Sequence, residues 1–284
     1  MKRGKPLKLA TQNLVGAHEQ TNDKCVHATY SRDKWSHLER GYRTWLMHIG
    51  KLGPFGDLLS REKTMNLVVN EIKLYVEVMG SGKPLIFVHG NGEDHHIFDP
   101  LVERLKPYFT CYLVDSRSHG ESEKVDELHY EDMAEDIAEM IKQLRLEKPM
   151  YIGFSDGGII GLILGMKYPD LMSQMMVLGT NINTNGIQKK VKKSWEDVYI
   201  KTGDPMFKLM VEEPLYQLND LHKIKAKVMV VAGEFDVILP RHTKAIAHHI
   251  KGAKLIIMKE KHHEDYVVHR DDLYDLCMGF FIKP

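Results

Sequence analysis

The sequence predicts an α/β fold in which a doubly wound, mostly parallel sheet carries a small helical cap. Short apolar runs suited to buried strands alternate along the chain with longer segments of helical period. Apolar residues make up 43% of the 284 residues and charged residues 27%, as in ordinary globular proteins. A chain of this length forms one large domain, or one domain with an appendage.

Charge, cysteines and hydropathy narrow the class of protein. The formal net charge is zero, so nothing global attracts nucleic acid or an anionic membrane. Cys25, Cys111 and Cys277 are widely spaced in no metal-like pattern, which indicates structural thiols in a reducing compartment. The basic N-terminus lacks the apolar core of a signal peptide, and no stretch approaches the roughly 20 apolar residues of a membrane span. We expect a cytoplasmic protein with neither nucleic acid nor membrane as a partner, and composition predicts no oligomeric state.

The first 64 residues differ in composition from the rest. They contain 12 basic and 6 acidic residues, whereas 27 basic and 33 acidic residues follow. They include Trp35 and Trp45 but no sustained period, apart from a short helical pattern over 46–59 that Gly53 and Pro54 interrupt. We therefore predict that residues 1–64 form a poorly ordered or loosely packed N-terminal extension. Residues 65–284 are predicted to form the domain.

From Met65 onward the elements follow one another regularly. Residues 72–78 alternate like a half-buried strand, and the apolar run 85–88 suits a central strand that is buried on both faces. Further strands are predicted at 108–114, 150–152, 175–178, 228–231 and 255–258, and helices at 130–144 and 159–166. In such sheets the functional site lies beyond the carboxyl ends of the strands.

A Gly-x-Ser-x-Gly motif lies between the predicted strand 150–152 and the predicted helix 159–166. It runs from Gly153 through Ser155 to Gly157. A serine at such a turn is held in a strained conformation that exposes its hydroxyl, and the glycines avoid collisions with neighbouring elements. The following helix directs its free N–H groups at negative charge that forms near the serine. Ser155 is the candidate nucleophile; the alternative is a serine that serves only the tight turn.

Other motifs follow predicted strands in a recognisable order. These are His89-Gly90-Asn91-Gly92, the stretch from Asp115 to Ser122, Gly233-Glu234-Phe235-Asp236, and His263 near the C-terminus. From Met65 to its end the chain resembles the α/β-hydrolase fold family, which uses the chain order Ser, Asp, His. The resemblance implies that fold, a triad and no cofactor.

The resemblance also assigns the triad. Both His262 and His263 are placed to be the base, and His263 is favoured because the apolar positions of the last helix then match the family. Asp236 would orient the imidazole and stabilise its cation. Two alternatives remain for the acidic member of the triad. Asp236 could instead cap the helix that begins near Pro240. Asp265, on the histidine loop, is a weaker candidate for the acid.

The oxyanion of acyl transfer requires two N–H donors. The backbone amides of Asn91 and Asp156 are expected to supply them, with Gly92 and Phe154 as substrate contacts. The elbow also resembles that of hydrolases acting on amino-acid esters, in which the Asp156 carboxylate would face the substrate's ammonium group. The alternative is that this carboxylate stabilises the start of its own helix. His89 and the stretch 115–122 are expected to support the loops, with Ser118 in place of the family's usual glycine.

The resemblance implies a small helical cap at about 181–226, where the family inserts a variable segment. Lysines in this segment should form a solvated face. The predicted apolar anchors are Trp195, Val198, Tyr199, Phe207, Leu209 and Met210. Adjacent histidine pairs point apart in a helix or strand, and no zinc or phosphate-loop motif occurs, so we expect neither metal nor cofactor.

The predicted function is that of a cofactor-independent serine hydrolase. It would cleave a small or medium carboxylic ester, a small-molecule substrate, through an acyl-enzyme. One alternative is cleavage of a carbon–carbon bond on the same fold, but such relatives usually carry Asn-Ser-x-Gly-Gly where this chain has Phe154-Ser155-Asp156. Another alternative is a ligand-binding or signalling protein with little turnover, because a fold does not determine a function.

Overall fold

The computed structural model of the chain describes residues 62–282. Within this range eight strands form one sheet in the order β1-β2-β4-β3-β5-β6-β7-β8. The strands are β1 Lys63–Val69, β2 Ile72–Gly80, β3 Lys83–Val88, β4 Phe109–Val114, β5 Met150–Phe154, β6 Gln174–Leu178, β7 Lys227–Phe235 and β8 Lys254–His262. Strand β2 is antiparallel to both neighbours, and the remaining pairs are parallel. The predicted fold class is confirmed.

Helices cover both faces of this sheet. They are α1 Asp99–Leu105, α2 Tyr130–Gln143, α3 Asp156–Lys167, α4 Lys189–Thr202, α5 Pro205–Glu212, α6 Pro240–His249 and α7 Tyr274–Cys277, and a π-helix Met278–Ile282 follows α7. Buried residues of α2, α3 and α6 pack on one face of the sheet, and those of α1 and α7 pack on the other. Successive residues of β3 alternate between the two cores, with Ile86 in the first and Phe87 in the second. This double burial explains the unbroken apolar runs of the central strands.

Strand β1 is an element that the sequence pattern did not predict. Most of its residues are exposed or half-buried, and Val69 alone among them is fully buried. It lies at the sheet edge and pairs with β2. Met65, Leu67 and Val69 alternate toward the core, but the exposed Val68 is also apolar and obscures this period in the sequence.

The predicted N-terminal extension lies outside the described residues, except for its last three. Strand β1 begins at Lys63 and therefore spans the predicted boundary between residues 64 and 65. Of the three cysteines, Cys111 and Cys277 are described, and both are buried and free. Burial raises the pKa of Cys111 to about 12, which keeps this thiol unreactive. Among the described helices, none combines the length and apolarity that crossing a bilayer would require.

We expect a chain that starts at Met65 to fold and to retain ester hydrolysis. This truncation removes Lys63 and Thr64, which pair with Val78 and Glu77 at the sheet edge and are exposed. Two exposed cross-strand pairs contribute about 1 kcal/mol together. Thermal unfolding and ester turnover measure the result, and a chain that starts at Glu62 is the matched control. An insoluble or inactive product from the chain that starts at Met65, beside an active full-length protein, would contradict this expectation, and an active control would assign the loss to the removed end of β1.

The segment between β6 and β7 forms a thin helical cap. It contains a 3₁₀ turn at Thr184–Gly186, helices α4 and α5, a bridge between Asn183 and Leu215, and a second 3₁₀ segment at Leu218–Lys223. Of the six predicted apolar anchors, Leu209 is buried and the other five are partly buried. Helix α4 has no buried residue, because α5 covers one side of it and its other side faces solvent. Its Lys189 and Lys190 are exposed, as expected of a solvated face.

Candidate active site

Ser155 occupies a strained turn between β5 and α3. Its backbone angles are φ 51° and ψ −110°, in the half of φ space that L-residues rarely adopt. Close packing explains the two flanking glycines. A Cβ on Gly153 would lie 2.2 Å from the carbonyl oxygen of Gly157, and a Cβ on Gly157 would lie 2.1 Å from that of Val88. The Gly-x-Ser-x-Gly spacing is therefore a steric requirement of this turn.

Ser155, His263 and Asp236 form one chain of hydrogen bonds. The Nε2 atom of His263 lies 3.1 Å from the Ser155 Oγ atom, and its Nδ1 atom lies 2.7 Å from the Asp236 Oδ1 atom. The buried Asp236 carboxylate also accepts the N–H groups of Gly233 and Ile238. Helix α6 begins after Leu239 without a side-chain cap, so Asp236 does not cap it.

The surroundings of these hydrogen-bonded residues favour an ionised Asp236 carboxylate beside a basic His263 imidazole. Burial alone would raise the pKa of Asp236, but the hydrogen bond and charge of His263, with two backbone N–H groups, hold it below its usual range. Burial alone would lower the pKa of His263, but the hydrogen bond and charge of Asp236 raise it above its ordinary value. The pair therefore holds Nδ1 protonated and leaves Nε2 to accept a proton from Ser155.

The neighbouring candidates His262 and Asp265 lie away from Ser155. His262 is the last residue of β8, and its ring packs against Phe235 with centroids 5.4 Å apart. Its backbone N–H donates to the Asp265 carboxylate at 2.8 Å, and both side chains are exposed. The buried Phe154 ring packs on the His263 ring at 4.9 Å. Phe154 thus supports the imidazole, and its contact with substrate stays a prediction.

Two backbone amides near Ser155 are available for an oxyanion. The N–H of Gly157 donates to the His89 carbonyl at 3.0 Å, and the N–H of Gly90 donates to the Glu93 carboxylate at 2.9 Å. Within residues 62–282 the amides of Asn91 and Asp156 have no such acceptor. Gly92 has φ 72° and open space around its Cα atom, which leaves room beside these amides.

His89 and Asp115 hold the loops beneath the site. The Nδ1 atom of His89 bonds the Gly90 carbonyl at 2.7 Å, and its Nε2 atom accepts the Ser116 N–H at 3.1 Å. Burial lowers the pKa of His89 to about 4, so the ring is a neutral brace. The buried Asp115 carboxylate accepts the backbone N–H groups of His95 and Glu121. These residues have the supporting role that we expected for the two motifs.

Ser118 adopts the conformation that the family's usual glycine would favour. Its φ is 65°, in the left-handed region. Its Oγ atom accepts the Val125 N–H at 2.9 Å, and its own N–H donates to the Glu123 carbonyl at 2.8 Å. The serine therefore keeps the turn and adds a hydrogen bond that glycine lacks.

The Asp156 carboxylate forms its hydrogen bonds with residues of other elements. It accepts the Asn91 Nδ2 atom at 2.9 Å and the Tyr130 hydroxyl at 2.8 Å, and α3 shows no side-chain cap. The Asn91 amide also reaches the carbonyl of Met206 in α5 at 3.4 Å. Asp156 is 6% exposed, and burial raises its pKa. The carboxylate therefore lies between the loop that carries Asn91, helix α2 and the cap.

Sequence reasoning missed Glu93 and Tyr130. Tyr130 is the first residue of the predicted helix 130–144, where an aromatic residue indicates core packing. Glu93 follows the Gly90-Asn91-Gly92 loop, and this proximity was the available signal. Neither the carboxylate bound to Gly90 nor the phenol bound to Asp156 follows from sequence spacing alone.

One group of potential metal ligands occurs among the described residues, directly after the loop of residues 90–93. Donor atoms of Asp94, His95 and His96 lie within 4.8 Å of one another. Asp94 accepts the His96 N–H, His95 bonds Asp115 at 2.7 Å, and His96 bonds Asp99 at 3.1 Å. Because these bonds already engage the three side chains, we assign no metal to them.

Comparisons with known proteins agree with this architecture. A family model described as the alpha/beta hydrolase fold matches residues 83–207. Serine hydrolase BPHL of Homo sapiens is 26% identical over 269 residues, which cover 82% of this chain and 91% of that protein. The 2-(acetamidomethylene)succinate hydrolase of Mesorhizobium japonicum is 37% identical over 112 residues, or 39% of this chain and 40% of that protein.

A solved structure extends the likeness to the whole described fold. MGS-M2, an alpha/beta hydrolase enzyme from a Medee basin deep-sea metagenome library, superimposes with a TM-score of 0.69 at 19% identity. The match covers 78% of this chain and 98% of that one. The sheet order, the strained serine turn and these matches agree with one another. The described residues have the α/β-hydrolase fold.

Proposed function

We propose that the protein is a cofactor-independent serine hydrolase that cleaves a small or medium carboxylic ester. The observation that carries the proposal is the hydrogen-bonded chain from Asp236 through His263 to Ser155. The two amides without acceptors, at Asn91 and Asp156, support it. The likeness to Serine hydrolase BPHL, which extends over most of both chains, favours the same chemistry.

The proposed reaction proceeds through an acyl-enzyme. The Ser155 Oγ atom gives its proton to the His263 Nε2 atom and attacks the ester carbonyl, and the N–H groups of Asn91 and Asp156 stabilise the oxyanion. The C–O bond to the alcohol then breaks, and the alcohol leaves with the proton from His263. Water gives a proton to His263 and attacks the acyl group. The carboxylic acid is released as Ser155 recovers its proton. Asp236 keeps the imidazole oriented and stabilises its cation in both halves.

The Asp156 carboxylate is the proposed determinant of substrate class. It lies one residue from the nucleophile, and its two oxygens accept hydrogen bonds from neutral donors, Asn91 and Tyr130. No cation of the described residues pairs with it within 4.0 Å, so its charge is available to a substrate. An ammonium group on the ester would bind it through a charge-assisted hydrogen bond. A Cβ on Gly92 would meet no atom within 4 Å, so the loop leaves space next to Asn91.

Covalent labelling tests the proposed chemistry. A fluorophosphonate probe should label the wild-type protein rapidly and should leave Ser155→Ala unlabelled. A panel of p-nitrophenyl esters of graded chain length then measures the preferred acyl size. A folded protein that takes up no probe and turns over no ester would favour the low-turnover binder. Labelling without ester turnover, together with cleavage of a diketone, would favour the carbon–carbon hydrolase.

A further inference from the structure

Glu93 closes the loop that carries one of the proposed oxyanion donors. Its backbone N–H reaches the Gly90 carbonyl at 3.4 Å, and its carboxylate accepts the Gly90 N–H at 2.9 Å. The turn Gly90–Glu93 is thus closed twice by the same residue, once through the backbone and once through the side chain. Gly92, with φ 72°, supplies the left-handed position inside it.

The Glu93 carboxylate and Ser155 both lie close to Gly90. A Cβ on Gly90 would be 2.7 Å from the Glu93 Oε2 atom and 3.2 Å from the Ser155 Cβ atom. The carboxylate and Ser155 therefore flank the same glycine. The Asn91 amide follows that glycine directly, so its direction depends on how the turn is held.

We infer that Glu93 is a positioning residue that holds the Asn91 N–H toward the oxyanion by fixing the Gly90–Glu93 turn. This inference rests on the proposed hydrolase function, because it assigns the loop a role in stabilising an acyl-transfer oxyanion. Loss of the acceptor leaves the buried Gly90 N–H unpaired and loosens the turn. A donor that points away from the oxyanion loses part of the stabilisation that a fixed donor gives.

Several charged groups surround Glu93. Glu264 and His263 face it from the loop after β8, and Asp156 faces it from the start of α3. Burial raises the pKa of Glu93 to about 7, the Gly90 N–H opposes this rise, and the neighbouring Glu264 adds to it. Glu93 is consequently protonated below about pH 7 and ionised above it. Its ionised form helps to raise the pKa of His263.

Three variants distinguish the effect of the hydrogen bond between Gly90 and Glu93 from the effect of the Glu93 charge. Glu93→Ala removes both, whereas Glu93→Gln keeps an oxygen acceptor for the Gly90 N–H and removes the charge. Glu264→Gln removes a carboxylate that also faces His263 but has no described bond to Gly90. If Glu93→Ala does not fold, Glu93→Met replaces it, because methionine keeps the side-chain volume without such an acceptor. Circular dichroism establishes folding for each variant.

The test measures kcat and KM for a p-nitrophenyl ester between pH 5 and 9. At pH 9 we expect Glu93→Ala to lose about tenfold or more in kcat with little change in KM. Glu93→Gln and Glu264→Gln should retain kcat within about threefold, and their acidic limbs of kcat/KM should move to lower pH because His263 loses an anionic neighbour.

The results that would contradict this inference differ from the result that would also contradict the proposed function. An active wild type beside a Glu93→Ala variant with unchanged kcat would overturn the positioning role and leave the hydrolase intact. A Glu93→Gln variant that is as slow as Glu93→Ala would also overturn it, because glutamine keeps an acceptor for the Gly90 N–H. A wild type that neither hydrolyses esters nor takes up the fluorophosphonate probe would overturn the proposed function and this inference together.

Discussion

Ser155→Ala and His263→Ala should each lower ester turnover by roughly 10⁶-fold, whereas His262→Ala should keep most of the activity. The residues of a triad act as a unit, so the loss of one member approaches the loss of all. Ser155 and His263 are 3.1 Å apart at their reacting atoms, while the His262 ring packs on Phe235. The measurement is kcat/KM on the best p-nitrophenyl ester of the panel.

His262→Ala is the matched control for this prediction, since it removes an imidazole one residue from the proposed base. Fluorophosphonate labelling of the same variants reports on the nucleophile without turnover. A His262→Ala variant that is inactive, beside an active His263→Ala variant, would show that the base is assigned one residue too far along the chain. Small losses of kcat/KM in both Ser155→Ala and His263→Ala would contradict the assignment of these residues to a catalytic triad.

Asp156→Asn should lower kcat/KM for an α-amino ester by about 10- to 100-fold, which corresponds to roughly 1.5–3 kcal/mol of transition-state binding. The des-amino analogue should be hydrolysed at nearly the wild-type rate. Asparagine keeps the size of the side chain and offers an oxygen to Asn91, so the substitution removes the charge with little change in packing. The wild type itself should prefer the amino ester.

Tyr130→Phe is the matched control for Asp156→Asn. It removes the hydroxyl that donates to the Asp156 carboxylate at 2.8 Å and leaves the charge in place. Preference for the amino ester should therefore persist in Tyr130→Phe. In the wild type this preference should weaken as the pH falls, because protonation removes the carboxylate charge and burial raises the pKa of Asp156. Equal wild-type rates on the two esters would eliminate the ammonium contact and leave a plain carboxylesterase.

The central fold was predictable from the chain because its signals are local. Apolar runs predicted β3, β5 and β6, which lie in the middle of the sheet and are covered on both faces. The elbow was equally predictable, since the Ser155 turn and the glycines around it are constraints on consecutive residues. Edge strand β1 gave a weaker signal, because the apolar Val68 lies on its exposed face and obscures the alternation of Met65, Leu67 and Val69.

The cap helices lie where the prediction put them, and most of the predicted anchors pack less deeply than residues of the domain core. Residues 181–226 contain the helices that were expected, but Trp195 and Tyr199 are only partly buried. An apolar residue in an amphipathic pattern indicates that some surface is present to cover it. With α5 as its one neighbouring cap helix, α4 has too little surface opposite it to bury those side chains.

The sequence by itself determined the order of the strands along the chain, the turn at Ser155 and the set of residues from which a triad could be drawn. Only the tertiary structure shows that His263, and not His262, bonds Ser155, and that Asp236, and not Asp265, bonds this imidazole. Adjacent residues at the end of a strand point to opposite sides, and the bonds that join His263 to Asp236 and to Ser155 span 27 and 108 residues of chain. The bonds from Asp156 to Asn91 and Tyr130 likewise depend on how separate elements pack, which sequence spacing does not encode.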